Sequence, residues 1–221
     1  MGTLKLYNYF RSSTSYRVRI ALHLKNLKFD YIPIHLLNNG GEQNAEDYRK
    51  INPLGGIPTL VDGTQVISQS FAIIEYLDEA YPHTFQLMPS DPYLRAKIRQ
   101  VCENINADIH PLQNLKVMQY LEKKHQYNQE QKAEWSRTWI EAGFTATEKI
   151  LTATAKAYSF GDILTAADLF LIPQIFSAQR VDVDISKYPI LFRINENCLK
   201  LEEFKKSHPS KQIDSPTDPR P

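Results

Sequence analysis

Residues 11–19 read Arg11-Ser12-Ser13-Thr14-Ser15-Tyr16-Arg17-Val18-Arg19, a run of hydroxyls bracketed by arginines. The hydroxyls fall where an alternating segment (Leu4 and Leu6 against Lys5 and Tyr7) gives way to the helical apolar spacing of Val18, Ile20, Ala21, Leu22 and Leu24. Hydroxyls at such a junction lie beside the free N–H groups of a helix N-terminus, a place that suits a thiolate or a carboxylate. The same residues are also what an ordinary helix cap requires, and taken alone the segment reads as a cap. Arg19 is expected on a solvated helix face.

Two other stretches have similar potential. Asn52-Pro53-Leu54-Gly55-Gly56-Ile57-Pro58-Thr59-Leu60 puts a proline directly before a short strand. A cis Ile57–Pro58 bond would turn the Ile57 backbone outward, ready to pair with an extended peptide as an added strand. Gln69-Ser70 begins the next helical pattern, where a hydroxyl and a helix N-terminus together can hold a carboxylate.

The elements that must position these residues follow from periodicity. Strands are expected over residues 3–9 and 28–34, with a polar loop at residues 36–46. Asp62-Gly63 makes a hairpin of residues 59–61 and 66–67, and residues 70–81 read as a helix. The order β-α-β followed by β-β-α implies a right-handed crossover onto a mixed sheet. A connector rich in turns follows, and beyond it strand patterns stop. Helices are expected over 93–124, 128–157, 165–181 and 189–204, the third opened by a capping box in which Asp168 replaces the usual Glu or Gln. The division is thus an α/β domain over 1–82, a linker over 83–90, and an all-helical domain over 91–221 that ends in a proline-rich, irregular tail.

Composition narrows the class. Among 221 residues, 26 lysines and arginines meet 25 acids, so no basic field argues for nucleic acid or an anionic membrane surface. No apolar run has spanning length and no secretory leader is expected. Cys102 and Cys198 are the two cysteines, without CxxC spacing; this suits a reducing cytoplasm and argues against a disulfide framework or a metal site.

The three stretches, in this order and ahead of a helical domain, resemble the glutathione transferase superfamily, in which a thioredoxin-like domain binds glutathione and the helical domain supplies the second-substrate pocket. The run Ser12-Ser13-Thr14-Ser15-Tyr16-Arg17-Val18-Arg19-Ile20-Ala21-Leu22 is similar to the motif of the zeta class, the maleylacetoacetate isomerases, with Thr14 where the class has cysteine. Further similarity lies in Asn52-Pro53, in Ile57-Pro58-Thr59-Leu60 and in residues 69–77. In the second domain it lies in Pro111-Leu112-Gln113-Asn114-Leu115, Ala167-Asp168-Leu169 and Pro173-Gln174.

The resemblance implies a glutathione site. Ser12, Ser13, Thr14, Ser15, Tyr16 and Arg17 would line the thiol, Gln43, Ile57 and Pro58 the middle, and Gln69 and Ser70 the γ-glutamyl end. His110, Asn114, Leu115 and Lys116 would close it from the second domain. Glutathione's thiol has the ordinary cysteine pKa of about 8.5, so Ser12 or Ser13, Thr14 and Arg17 are the candidates for favouring its thiolate. His110 stands where the class has glutamine and is read as a neutral hydrogen-bonding substitute. Arg11 and Arg180 are candidates for a substrate carboxylate, and a surface ion pair is the alternative for each. The implied reaction is glutathione-dependent cis–trans isomerisation of maleylacetoacetate to fumarylacetoacetate, in a cytoplasmic homodimer. Maleylpyruvate isomerisation or α-haloacid dehalogenation on the same scaffold is a second reading, and a non-catalytic partner-binding module a third.

Overall fold

The computed structural model describes residues 3–216. The chain forms two compact units that divide after Met88, and it returns to the first at Lys200.

In the first unit, β1 (Leu4–Asn8), β2 (Phe29–Pro33), β3 (Thr59–Asp62) and β4 (Gln65–Ser68) make a sheet in the order β2-β1-β3-β4. β1 and β2 are parallel, as a crossover requires, while β1–β3 and β3–β4 are antiparallel. The crossover is α1 (Ser13–Leu24), whose Val18, Ile20, Ala21 and Leu22 are fully buried. α3 (Ser70–Ala80) packs beside it through Ile73, Ile74 and Leu77. Between these lies α2 (Glu46–Ile51), which the polar composition of its surroundings conceals in the sequence.

The connector is anchored in this unit. Asp78, at the end of α3, accepts the N–H groups of Leu87 and Met88 and pairs with Lys25 at 2.5 Å, with both side chains almost wholly buried. Lys25 also donates to Thr84 Oγ1 at 3.2 Å and to the Phe85 carbonyl at 2.8 Å.

Arg19 corrects the expectation of a solvated face. Its side chain is fully buried, and the reason is the returning C-terminal segment. There α9 (Glu202–Ser207) packs on α1 and buries Phe204 and Ser207, while Arg19 Nε donates to the Ser207 carbonyl at 3.1 Å. Residues 200–216 therefore pack with the first unit, although the sequence pattern groups them with the helices. Residues 217–221 of the expected irregular tail lie outside the described residues.

The second unit is helical. The single helix expected over 93–124 is broken. α4 (Pro92–Glu103) runs into a π-helical turn (Asn104–Ile109) and a short 3-10 turn (His110–Gln113), and α5 (Leu115–His125) restarts with Asn114 as its cap. Pro111 cannot donate to a helical ladder, which explains the break. α6 (Gln129–Leu151) follows; a side chain at its Gly143 would place Cβ 2.2 Å from Ile109 Cγ1, so glycine allows the π turn to lie close. α7 (Ala166–Gln179) is apolar nearly all round and forms the core of the unit. Its N-terminus is capped as expected: Asp168 accepts the Thr165 N–H and the Ser159 N–H, each at 2.8 Å. The last expected helix is two: α8 (Pro189–Cys198) stays in this unit, and α9 lies in the first.

Candidate glutathione site

Ser12 is the N-cap of α1, its Oγ accepting the Ser15 N–H at 3.2 Å. The cap reading and the site reading therefore both apply to the same turn. Thr14 Oγ1 donates to the Ile57 carbonyl at 3.0 Å, and Ser12 Oγ lies 2.9 Å from Thr14 Oγ1. Thr14 has one hydroxyl proton and a carbonyl can only accept, so Ser12 must be the donor in the Ser12–Thr14 pair. The direction of the chain is fixed: Ser15 N–H to Ser12, Ser12 to Thr14, Thr14 to Ile57. Ser12 and Thr14 thus have their hydroxyl protons committed within the protein. Ser13 is buried at the first helical position, where the positive end of α1 favours an anion.

The loop that receives Thr14 is built from below. Asn52 Nδ2 donates to the Gly56 carbonyl at 2.8 Å, and the Tyr48 hydroxyl reaches the same carbonyl at 2.6 Å. Both also reach Thr59 Oγ1, at 3.1 Å and 2.9 Å. Neither Tyr48 nor Thr59 was evident as a support in the sequence, because the helix that carries Tyr48 was hidden. The Ile57–Pro58 bond is cis. Among the described residues the Ile57 N–H has no hydrogen-bond partner, so Ile57 presents a donor on a half-buried backbone.

At the third stretch, Gln69 has φ of 75° and ψ of 118°. A non-glycine residue held there stores backbone strain of about 1–3 kcal/mol, a cost that marks functional turns. The turn leaves Gln69 exposed and sets Ser70 at the head of α3. Arg17 Nη1 donates to Ser70 Oγ at 3.2 Å, and its side chain is completely buried. This bond ties α1 to the head of α3. Tyr16 is fully buried as well, its hydroxyl on the Phe204 carbonyl at 3.4 Å, and Ser15 is fully buried. Arg11 is half-buried in the turn ahead of the cap.

Gln43 lies in the loop after β2, its Nε2 on the Leu36 carbonyl at 3.3 Å and folded against Gly41. Gly41 has φ of 98° and a side chain there would overlap the Gln43 amide, so the loop requires glycine. Among the described residues Gln43 Oε1 is buried without a hydrogen-bond donor and is available to an N–H.

The remaining candidates belong to the helical unit. His110 opens the 3-10 turn, with Nε2 3.4 Å from Asn114 Nδ2; an amide nitrogen can only donate, which calls for an unprotonated Nε2. Asn114 caps α5 by accepting the Lys116 N–H at 3.2 Å, Leu115 is the first helical residue, and Lys116 is exposed. Arg180 is the exposed C-cap of α7.

Comparison with known proteins places this arrangement. Residues 11–80 match the family model described as glutathione S-transferase, N-terminal domain. The maleylacetoacetate isomerase of Mus musculus is 44% identical over 97% of this chain and 96% of its own. The chain belongs to the zeta class of glutathione transferases. A bacterial zeta-class structure described as holo maleylpyruvate isomerase superposes with a TM-score of 0.92 at 40% identity, covering 96% of this chain and 100% of its own. Maleylacetoacetate isomerase from Anaeromyxobacter dehalogenans 2CP-1, with bound dicarboxyethyl glutathione and citrate in its active site, superposes at 0.85 with 36% identity, covering 97% of this chain and 94% of that one.

Proposed function

We propose that this zeta-class chain catalyses the glutathione-dependent cis–trans isomerisation of maleylacetoacetate to fumarylacetoacetate. The observation that carries the reading is the joining of three stretches distant in sequence. Thr14 bonds to Ile57 and Arg17 to Ser70, so the α1 N-terminus, the Ile57 backbone and the head of α3 are fixed in one unit. Their chemistry fits glutathione: the Ile57 N–H and Gln43 Oε1 suit its peptide groups, and Ser70 with the α3 N-terminus suits its γ-glutamyl carboxylate.

When bound, glutathione supplies a thiolate that adds reversibly to the conjugated double bond, so that the resulting single bond can turn before the thiol departs. The chain's own residues do the rest. The Ser13 hydroxyl and the first-turn amides of α1 stabilise the thiolate by hydrogen bonding and by the positive end of the helix. Arg11 supplies a cation for substrate carboxylate or for negative charge developing on its carbonyl oxygen, and Arg180 is the second such candidate. Thr14, in place of the class cysteine, latches the Ile57 loop, and no protein thiol is needed for the thiol-addition route. His110, Asn114, Leu115 and Lys116 are assigned to the cover over glutathione by the family pattern.

The dicarboxyethyl glutathione held by the Anaeromyxobacter enzyme is a thioether of glutathione and a dicarboxylate, the kind of adduct this route passes through. Maleylpyruvate is the second substrate reading, favoured by the TM-score of 0.92 to a maleylpyruvate isomerase. Parallel kcat/KM measurements on both substrates decide between them; the proposal expects maleylacetoacetate to be the better, and a preference for maleylpyruvate overturns the substrate assignment. We further propose a twofold homodimer in the cytoplasm. The family supports the dimer, and two buried cysteines that form no disulfide among the described residues suit a reducing compartment. Sedimentation equilibrium at twice the chain mass is the expected result for the dimer.

A further inference from the structure

Phe10 immediately precedes the turn that carries Arg11 and Ser12, and both of its backbone polar groups are held by ionisable side chains. Its N–H donates to Asp214 Oδ2 at 3.0 Å, and its carbonyl accepts Arg19 Nη2 at 2.9 Å. Asp214 Oδ1 also accepts the Tyr31 hydroxyl at 2.5 Å. Arg19 Nη1 donates to Asn8 Oδ1 at 3.0 Å and to the Tyr9 carbonyl at 3.3 Å, while its Nε holds the Ser207 carbonyl. The Tyr9 carbonyl accepts the Ser12 N–H at 3.1 Å, and the Tyr9 N–H reaches Ser15 Oγ at 3.5 Å. Any displacement of residues 9–10 therefore passes directly into the cap of α1.

We propose that residues 200–214 form a strap that sets the thiol end of the glutathione site. Asp214 and Arg19 are its positioning residues: they fix Phe10, and Phe10 fixes the Ser12–Thr14 turn. Tyr31 holds Asp214 from one side, and the Arg19 guanidinium, buried beneath the strap, joins it to α1. The strap makes none of the assigned glutathione contacts, so its effect falls on the thiol and not on the γ-glutamyl or middle contacts. This inference rests on the glutathione reading given above.

The test uses the full chain, with Asp214→Ala, Asp214→Asn and Tyr31→Phe. Calorimetry first measures glutathione binding by the unaltered protein; absence of binding overturns the glutathione reading, and the strap's role with it. The pKa of the bound thiol is then read from thiolate ultraviolet absorbance, and amide hydrogen exchange of residues 9–12 from the free protein. The strap predicts a rise of about one unit in the bound thiol's pKa for Asp214→Ala, with kcat down roughly tenfold and glutathione affinity changed by less than about threefold. Exchange at residues 9–12 should quicken in the same variants. Tyr31→Phe, which removes one of the two groups held by Asp214, should show the same changes at smaller size and keeps the test decisive if Asp214→Ala does not fold. A lowered melting temperature with the thiol pKa and kcat unmoved overturns the proposal and leaves the strap a purely structural element.

Discussion

Thr14 gives its one hydroxyl proton to the Ile57 carbonyl, and that single bond holds two stretches of the site together. Thr14→Val removes the donor while keeping the branched shape, so the Ile57 carbonyl loses its bond and the Ser12 hydroxyl loses its acceptor. A net hydrogen bond of about 0.5–1.5 kcal/mol corresponds to a two- to tenfold weaker glutathione affinity, measurable by calorimetry, and Thr14→Ser should restore most of it. The residue types of this cluster were legible in the sequence, but their division of labour was not. Arg17 and Arg19 stand two apart on one helix with the same chemistry, yet one reaches Ser70 and the other the backbone of Phe10 and Ser207. The partners lie far along the chain, beyond what local spacing can reveal. Burial brings the Arg19 pKa down to about 10, so it still carries its charge at neutral pH among those carbonyls.

At the scale of elements, the ends of α1 and α3 are fastened by a buried ion pair. Lys25 follows α1, Asp78 lies in the last turn of α3, and the pair holds the backbone of Thr84 to Met88 through the bonds to Phe85, Leu87 and Met88. Asp78→Ala leaves a buried ammonium and two amides without their acceptor. It should cost about 3–5 kcal/mol in urea unfolding, with the m-value unchanged. Where apolar periodicity was strong and local signals agreed, as in the Asp62-Gly63 hairpin and the Thr165–Asp168 box, sequence and structure coincide. The long helix expected over 93–124 is broken for a reason the sequence itself holds. Pro111 breaks the ladder and Asn114 recaps it, but the π turn ahead of Pro111 keeps a nearly helical apolar spacing through Ile105 and Ile109. The place of α9 in the first unit is not legible in the sequence, because a helical pattern states which face is apolar and not which surface will cover it.

Across the whole chain, the first unit is closed by its own C-terminus, and this carries a pH dependence. His23 on α1 and His208 after α9 both have pKa values lowered from the ordinary histidine range. Burial is the main cause for each, followed by Lys206 and Arg19 for His23, and by Arg19 and Lys211 for His208. A lowered folded pKa means that the unfolded chain binds protons first, so stability is full above about pH 6.5 and falls as pH drops below it. His208 also accepts the Ser210 N–H at Nδ1, a bond that protonation there removes. Thermal melts from pH 7.5 to 5.5 should show a declining midpoint, and His208→Gln should flatten that decline; an unchanged slope contradicts the assignment. The class was legible in the sequence, whereas the return of the C-terminus was not. Its proline content suggested an irregular end, although Phe204, Ser207 and Asp214 fasten it to α1 and β2. On the proposed function, glutathione supplies the reacting thiol in a site that lacks the class cysteine. The direct measurement is the rate of maleylacetoacetate isomerisation by the purified protein with and without glutathione, with free thiol titrated at the end. Turnover only when glutathione is present, with all of it recovered as thiol, is the expected result; equal turnover without glutathione would contradict the account.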